Sequence, residues 1–206
     1  KMTENNHCTL LIDINKHNNI KCSFIDSENK EQQIKINENQ QDEYSPISIA
    51  FDMNEIIINE QREDSIDFFN DWIEQPEEFK EYEINYQNKQ YSVISEVLFA
   101  LIMNQYISKI EKQYIIEETI VTIPTTNSNI YQRIKVSLDA IGLKQQEIEY
   151  PDYEYQTQGE ILHDILEKNN AYNKYKQLLE KTQQHELNDN TQPMTEERFN
   201  EITQRK

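Results

Sequence analysis

The chain has 206 residues, which is enough for one sizeable domain or two small ones. Its 38 acidic side chains outnumber the 20 basic ones, and the formal net charge is −18 at pH 7. A field of that sign repels phosphate backbones, so we expect no nucleic-acid partner, and no apolar run is long enough to predict a membrane span.

The first sixty residues contain five short segments with the apolar or alternating pattern of β-strands, separated by polar turns. The predicted strands cover residues 9–15, 20–26, 32–37, 47–51 and 55–59. A polar KHNN turn joins the first two, which are therefore predicted to form a hairpin. The whole stretch is typical of a meander or a mixed sheet.

Residues 60–93 combine a short helix with a second hairpin. Apolar side chains three or four apart end before Pro76, which predicts a short helix there. Trp72, the sole tryptophan, shares its face with apolar neighbours, so we expect it to lie in the core. The segments 79–85 and 89–93 have the pattern of paired strands.

The most apolar part of the chain follows. A helix is predicted from Ser92, as N-cap, to about Lys112, and it is apolar nearly all round and therefore buried on more than one side. Residues 118–124 are rich in β-branched side chains, as in a fully buried strand. A second helix ends at Gly142 as its C-cap. Its core stripe consists of Ile130, Ile134, Leu138 and Ile141.

The pattern changes after Pro151. A polar linker leads into residues 161–187, whose periodicity predicts a helix, and Thr195 is expected to cap a last short helix. We therefore divide the chain into a first domain at 1–151 and a helical C-terminal extension at 152–206.

Glycine is scarce, and this limits the chemistry that the chain can carry. Only Gly142 and Gly159 are present. Loops that cradle phosphates need glycine, because the backbone must approach the anion closely and often at positive φ. We therefore consider nucleotide binding by a glycine-rich loop improbable.

The two cysteines and four histidines form no metal-ligand pattern, so no metal is expected. With a hairpin turn at 16–19, Cys22 lies opposite Asp13 and not opposite Cys8. A disulfide is then not expected, which favours a reducing, cytoplasmic location. The first residue is a lysine followed by methionine, which suggests that the natural N-terminus is missing or modified.

Several segments match a known pattern in order and spacing. They include LLIDIN at 10–15, IVTIP at 120–124, YQR at 131–133 and DAIGL at 139–143. The chain thereby resembles the nucleotide-binding domain of heat-shock protein 70 chaperones, in the actin-like ATPase superfamily. The resemblance covers residues 9–151 and implies an α/β, ribonuclease-H-like lobe with a mixed sheet flanked by helices. A weaker match in the C-terminal extension suggests a remnant of the family's second lobe.

The departures from that family concern its nucleotide site. Asp13 matches the aspartate of the family's first strand, but the Gly-Thr-Thr loop that wraps the phosphates is replaced. The residues at the loop position include Asn15, Lys16 and His17. No lysine lies between residues 62 and 74, where the family's catalytic lysine falls. Since an ATPase cannot position Mg-nucleotide without these groups, the resemblance implies a truncated relative that is not an enzyme and has no cofactor.

Other groups of reactive side chains have simpler explanations. Acidic pairs such as Glu117-Glu118 are typical of a solvated face in so acidic a chain. His163 beside Asp164 has no second histidine within reach on its predicted helix, so a surface position explains it better than a metal site.

Tyrosines in the polar linker and the helix after it suggest a protein interface, because tyrosine is a good interface anchor. The alternative is that the linker packs on its own domain. The candidate interface residues are Tyr150, Tyr153, Tyr155, Tyr172 and Tyr175.

The sequence therefore favours a non-catalytic interaction or scaffold subunit of a larger assembly, with a protein as its partner. One alternative is a heat-shock-70-like chaperone or co-chaperone that still binds ATP. Another is an unrelated α/β domain with chance matches. This last alternative predicts a structure without a mixed sheet in which the first two strands pair next to the strand at 118–124.

Overall fold

The computed structural model describes residues 6–76, 78–123, 125, 127–143, 146–149, 191–193 and 199. The predicted helix over 161–187 lies outside the described residues. The strands are β1 (Asn6–Ile14), β2 (Asn19–Asp26), β3 (Glu31–Gln33), β4 (Ser45–Pro46), β5 (Ile49–Asp52), β6 (Glu55–Ile58), β7 (Glu81–Tyr86), β8 (Lys89–Ile94), β9 (Tyr114–Thr122), β10 (Gln146–Glu149) and β11 (Thr191–Pro193). The helices are α1 (Phe68–Glu74), α2 (Ser95–Ile110) and α3 (Ser128–Ala140).

The main sheet is mixed, as the sequence predicts, and its strand order is β10-β9-β1-β2-β3, with β4 paired to β2. The first two strands are antiparallel, whereas β1 and β9 are parallel and so are β9 and β10. Leu10 and Ile12 in the centre of β1 are fully buried, as expected for a strand with neighbours on both sides. The prediction that the first two strands pair next to the strand at 118–124 is confirmed.

Two smaller sheets have no strand pairing with the main one in the part of the chain that the structure describes. The predicted second hairpin is confirmed as β7 and β8, and it turns at Gln87 and Asn88, which have φ of 50° and 60°. Two successive positive φ values match the twist of a two-residue hairpin. A second antiparallel pair is formed by β5 and β6.

Part of the C-terminal extension packs on the first domain. The strand β11 pairs in parallel with β8, and Phe199, which is helical, is buried in the common hydrophobic core. The boundary between residues 151 and 152 stays a prediction, but these two segments are continuous with the first domain's packing.

Helix α2 is the most deeply buried helix of the part that the structure describes. Its buried side chains include Leu98, Phe99, Leu101, Ile102 and Met103, which cover more than one face, as predicted. The predicted N-cap at Ser92 is wrong. That residue still belongs to β8, because the pairing with β7 continues to Ile94, and the helix begins after Ile94 without a side-chain cap.

Helix α3 has clear signals at both ends. The side chain of Asn127 accepts a hydrogen bond from the backbone of Asn129 at 2.9 Å. The helix ends at Ala140 with Ile141 as its C-cap, so Gly142 is the residue after the cap and not the cap itself. Its φ of +84° is the left-handed conformation that favours glycine at this position.

The predicted register of the first hairpin is wrong by one residue. Cys22 pairs with Ile12, and Asp13 pairs with Lys21. The turn has three residues and not four, because Asn15 and Asn19 already pair across it. Burial raises the pKa of the free Cys8 thiol to about 11 and also raises the pKa of the free Cys22 thiol, so both stay protonated at neutral pH.

Candidate functional site

The residues that the resemblance aligns with a phosphate loop form the tight turn between β1 and β2. Asn15 Oδ1 accepts hydrogen bonds from the backbone N–H of His17 at 3.0 Å and of Asn19 at 3.1 Å. The backbone N–H of Asn15 donates to the carbonyl of Asn19 at 2.9 Å, and Asn18 has a positive φ of 59°. Two backbone amides of the turn are therefore bonded to one of the turn's own side chains.

Asp13, at the end of β1, is held by a neighbouring loop. The hydroxyl of Tyr44 donates a hydrogen bond to its carboxylate, and this bond raises the pKa of Tyr44. Lys21, across the strand pair from Asp13, binds Glu43 at 2.7 Å, which raises the pKa of Lys21. Both charged groups beside the turn thus have partners that attach the loop at 43–44 to the sheet.

The other predicted residues of this position lie at the surface. Lys16 and His17 are exposed, so the structure brings Asp13 and Asn15 near the same turn but does not gather Lys16 and His17 into a pocket. The amide of Asn18 donates to Asn70 Oδ1 of α1 at 3.1 Å, which connects the turn to that helix.

A second polar cluster lies in the interior, where the sequence analysis predicted none. Arg133 of α3 and Glu96 of α2 are 1% and 2% exposed, and their Nη1 and Oε1 atoms are 3.3 Å apart. Arg133 Nη2 donates to the carbonyl oxygens of Pro76 at 3.1 Å and Glu78 at 2.6 Å. The guanidinium therefore joins two helices to the segment that leads into β7.

Aromatic rings enclose this guanidinium. Its central carbon lies 5.5 Å from the ring centre of Trp72 and 5.6 Å from that of Phe79, within the range of cation–π attraction. Trp72 Nε1 also donates to Ser95 Oγ at 2.6 Å, so the predicted core position of Trp72 is confirmed. Burial raises the pKa of Glu96, and the charge of Arg133 opposes that rise.

The sequence contained one signal for this cluster. Arg133 follows Ile130 by three residues and precedes Ser137 by four, so it shares the face of α3 that carries the core stripe. Ser137 is fully buried as well. A charged side chain at a core-facing helix position indicates a buried partner, although the sequence alone does not name Glu96 as that partner.

No group of three or more His, Cys, Asp or Glu side chains in the described ranges is arranged to hold a metal ion. No helix among the same residues is long and apolar enough to cross a membrane. The five candidate interface tyrosines, Tyr150, Tyr153, Tyr155, Tyr172 and Tyr175, lie outside the described residues.

Comparison of the sequence with protein-family models and with curated proteins finds no match.

Proposed function

We propose that this chain is a non-catalytic scaffold or interaction subunit of a larger assembly, built on a heat-shock-70-like lobe without a working nucleotide site. The observation that carries the proposal is the β1–β2 turn, in which Asn15 Oδ1 accepts two backbone hydrogen bonds. A phosphate loop presents such N–H groups to the anion. In this turn the side-chain oxygen of Asn15 accepts the hydrogen bonds that a phosphate oxygen would otherwise accept.

The charges beside the turn support the same conclusion. A nucleotide phosphate requires cations close to it, and Lys21, next to Asp13 in the sheet, is already paired with Glu43 at 2.7 Å. The chain's net charge of −18 adds a general repulsion of polyanions. Binding a phosphate at Lys21 would require breaking its ion pair with Glu43, and binding one at the amides of the turn would require reopening the turn.

The order of the main sheet supports the heat-shock-70-like part of the proposal. The first two strands pair with each other and β1 runs parallel to β9, which is the arrangement that the resemblance implies. Because a fold does not by itself imply a function, the sheet order bears only on where a nucleotide site of that family would lie in this chain. A reducing, cytoplasmic location stays a prediction from the free cysteines.

Titration calorimetry with Mg-ATP tests the loss of the nucleotide site. We expect no binding tighter than millimolar and no release of phosphate. Tighter binding would overturn the proposal and favour the alternative of a chaperone or co-chaperone that still binds ATP.

Isolation of the tagged chain from its natural cells tests the scaffold role. We expect a stable protein partner in stoichiometric amount, and Asp13→Ala should retain it as well as the natural chain does. Tyr44→Phe is the matched control, because it removes only the hydrogen bond to Asp13. Loss of the partner in a folded Asp13→Ala chain, but not in Tyr44→Phe, would show that the carboxylate itself has a function.

A further inference from the structure

The two faces of the main sheet have different surroundings. Leu10 and Val121 point to the inner face, where they belong to one hydrophobic cluster with the buried side chains of α1, α2 and α3. The residues that alternate with them point to the opposite side, because successive side chains of a strand alternate. On that side Leu11, Ile25 and Ile120 are half-buried, and they lie outside the cluster and its packed neighbours. We call this side the outer face.

The register of the strands brings the apolar side chains of the outer face together. Leu11 is paired with Ile120 of β9. Ile25 is the diagonal neighbour of Leu11 on β2, at a typical distance of about 7–8 Å. The next row along β1 is polar and pairs Asp13 with Lys21. A sheet face that met only water would carry polar side chains in its centre as well, so this apolar centre indicates that another element covers it.

The part of the chain between β10 and β11 begins and ends near one end of this sheet. Glu149, the last residue of β10, lies in the same row as Asp13. Residues 191–193 form β11, which pairs with β8 just before α2. Hydrogen bonds through α1 connect the start of α2 to the β1–β2 turn. The segment 150–190 therefore leaves and returns near the end of the sheet at which β1 turns into β2.

This segment has the length and the pattern to cover the outer face. A helix over residues 161–187, as their periodicity predicts, would be about 40 Å long. Strand β1 has nine residues and is about 30 Å long. An amphipathic helix is stable in water mainly when its apolar stripe is buried. The predicted stripe consists of Ile161, Ile165, Tyr172, Tyr175 and Leu179.

Charge and tethering favour this segment over an occupant from another molecule. Residues 161–187 contain four acidic and four basic side chains, whereas the whole chain has a net charge of −18. A second copy of the chain would bring the same net charge and would be repelled. Because the segment is joined to the domain at both ends, its effective concentration at the outer face is high without any partner.

We infer that residues 161–187 form a helix whose apolar stripe packs on the outer face of the main sheet. Tyr172 and Tyr175, two of the candidate interface residues, then lie inside this chain's own fold, and a partner protein uses another surface. This packing goes beyond the proposed function and does not depend on it, because covering the face requires no partner.

Photochemical cross-linking tests the packing in the full chain, both purified and in the assembly isolated from its natural cells. A diazirine side chain at position 11 should capture a peptide from residues 161–187. The same group at position 53, which is exposed at the tip of the β5–β6 hairpin, should not. In a mixture of unlabelled and heavy-isotope-labelled chains, both linked peptides should come from one chain. Capture of a second copy or of a partner protein at position 11, or no link to residues 161–187, would overturn the inference.

Urea unfolding of the full chain tests the same contact with milder changes. Leu179→Ala, Ile165→Ala and Ile120→Thr should each lower the urea midpoint, and Ile120→Thr keeps a β-branched side chain in the strand. Each helix variant combined with Ile120→Thr should lose less than the sum of the two single losses, because both changes remove parts of one interface. Gln177→Ala, off the stripe, is the matched control and should leave the midpoint unchanged. Losses that add in full for both pairs would overturn the inference.

Discussion

Replacing the buried arginine provides the sharpest test of the interior cluster. We expect Arg133→Met to lower the free energy of unfolding by about 3–4 kcal/mol at pH 7 and by much less at pH 5. Methionine keeps an unbranched apolar stem but leaves Glu96, at 2% exposure, without its partner at 3.3 Å. The carbonyls of Pro76 and Glu78 lose their donor as well.

The magnitude follows mainly from the carboxyl of Glu96. Without Arg133 this group avoids a buried charge by taking up a proton, and at pH 7 protonation of a carboxyl with an ordinary pKa of 4.5 costs about 3.4 kcal/mol. Because burial already raises the pKa of Glu96 in the natural chain, the variant loses less than this full amount. At pH 5 the same protonation costs about 0.7 kcal/mol. The lost hydrogen bonds to the two carbonyls add about 1 kcal/mol. Since Arg133 opposes the rise of the Glu96 pKa, its removal raises that pKa further, and the penalty grows with pH.

Urea unfolding at pH 5, 6 and 7, followed by circular dichroism and by the fluorescence of Trp72, measures this penalty. Lys135→Met is the control on the same helix: its exposed ion pair with Asp139, at 3.5 Å, should contribute less than about 0.5 kcal/mol. The double variant Arg133→Met with Glu96→Leu should be more stable than Arg133→Met alone. A penalty below about 1 kcal/mol at pH 7, or one that does not change with pH, would refute the reasoning.

Three further variants test other parts of the fold by the same unfolding measurement. Asn15→Ala should lower the free energy of unfolding by about 1 kcal/mol, because two backbone amides lose their acceptor. An unchanged urea midpoint would show that these two hydrogen bonds do not hold the turn. Gly142→Ala should lower the free energy of unfolding by about 1 kcal/mol. The loss comes from the φ of +84° alone, since an added Cβ meets no atom within 4 Å. Gly142→Asn should recover most of that stability, because asparagine tolerates the left-handed conformation better. Asp71→Asn should flatten the loss of stability in acid. Partial burial raises the pKa of Asp71, but hydrogen bonds from Tyr82 and Lys80 outweigh that effect and lower the pKa below its ordinary value of 3.8. The carboxylate therefore stabilises the fold above pH 3.8, and this stabilisation is lost as the pH falls through the lowered pKa. Equal acid profiles for Asp71→Asn and the natural chain would contradict this.

Elements whose residues repeat with a regular period were predictable from the sequence. The stripe at Ile130, Ile134 and Leu138 is buried in α3. The apolar run at 118–124 predicted the second half of β9, but the prediction that this strand is fully buried is wrong, because Glu118 is exposed and only Thr119 and Val121 of β9 are buried. The spacing of apolar residues predicts these elements because one face of each must be buried away from water, so apolar side chains recur with the period of the helix or strand.

Boundaries and register were less predictable, because they depend on competition between elements. Ser92 has the chemistry of an N-cap, but the hydrogen bonds between β7 and β8 extend past it and the helix begins later. The third strand was predicted at 32–37, yet the pairing with β2 covers only Glu31–Gln33. In both cases the hydrogen bonds to the neighbouring strand decide where the element ends, and the side-chain pattern of one strand alone does not show how far they extend.

The interior cluster was the least predictable feature. Glu96 and Arg133 are 37 residues apart, and in a chain with 28% charged residues each one has the appearance of a surface residue. Only their positions on otherwise buried helix faces distinguish them. Pairing of two buried charges is a tertiary property, since each ion is tolerated only because the fold supplies the other.

The tight turn between β1 and β2 is physically connected to helix α1. Helix α1 has seven residues and no side-chain cap, so its own backbone bonds cannot hold it. It is fixed by tertiary contacts instead: Asn70 accepts from Asn18 in the turn at 3.1 Å, and Trp72 donates to Ser95 at 2.6 Å. A side chain of the β1–β2 turn therefore helps to hold the helix that carries Trp72, and Trp72 in turn holds that helix to α2.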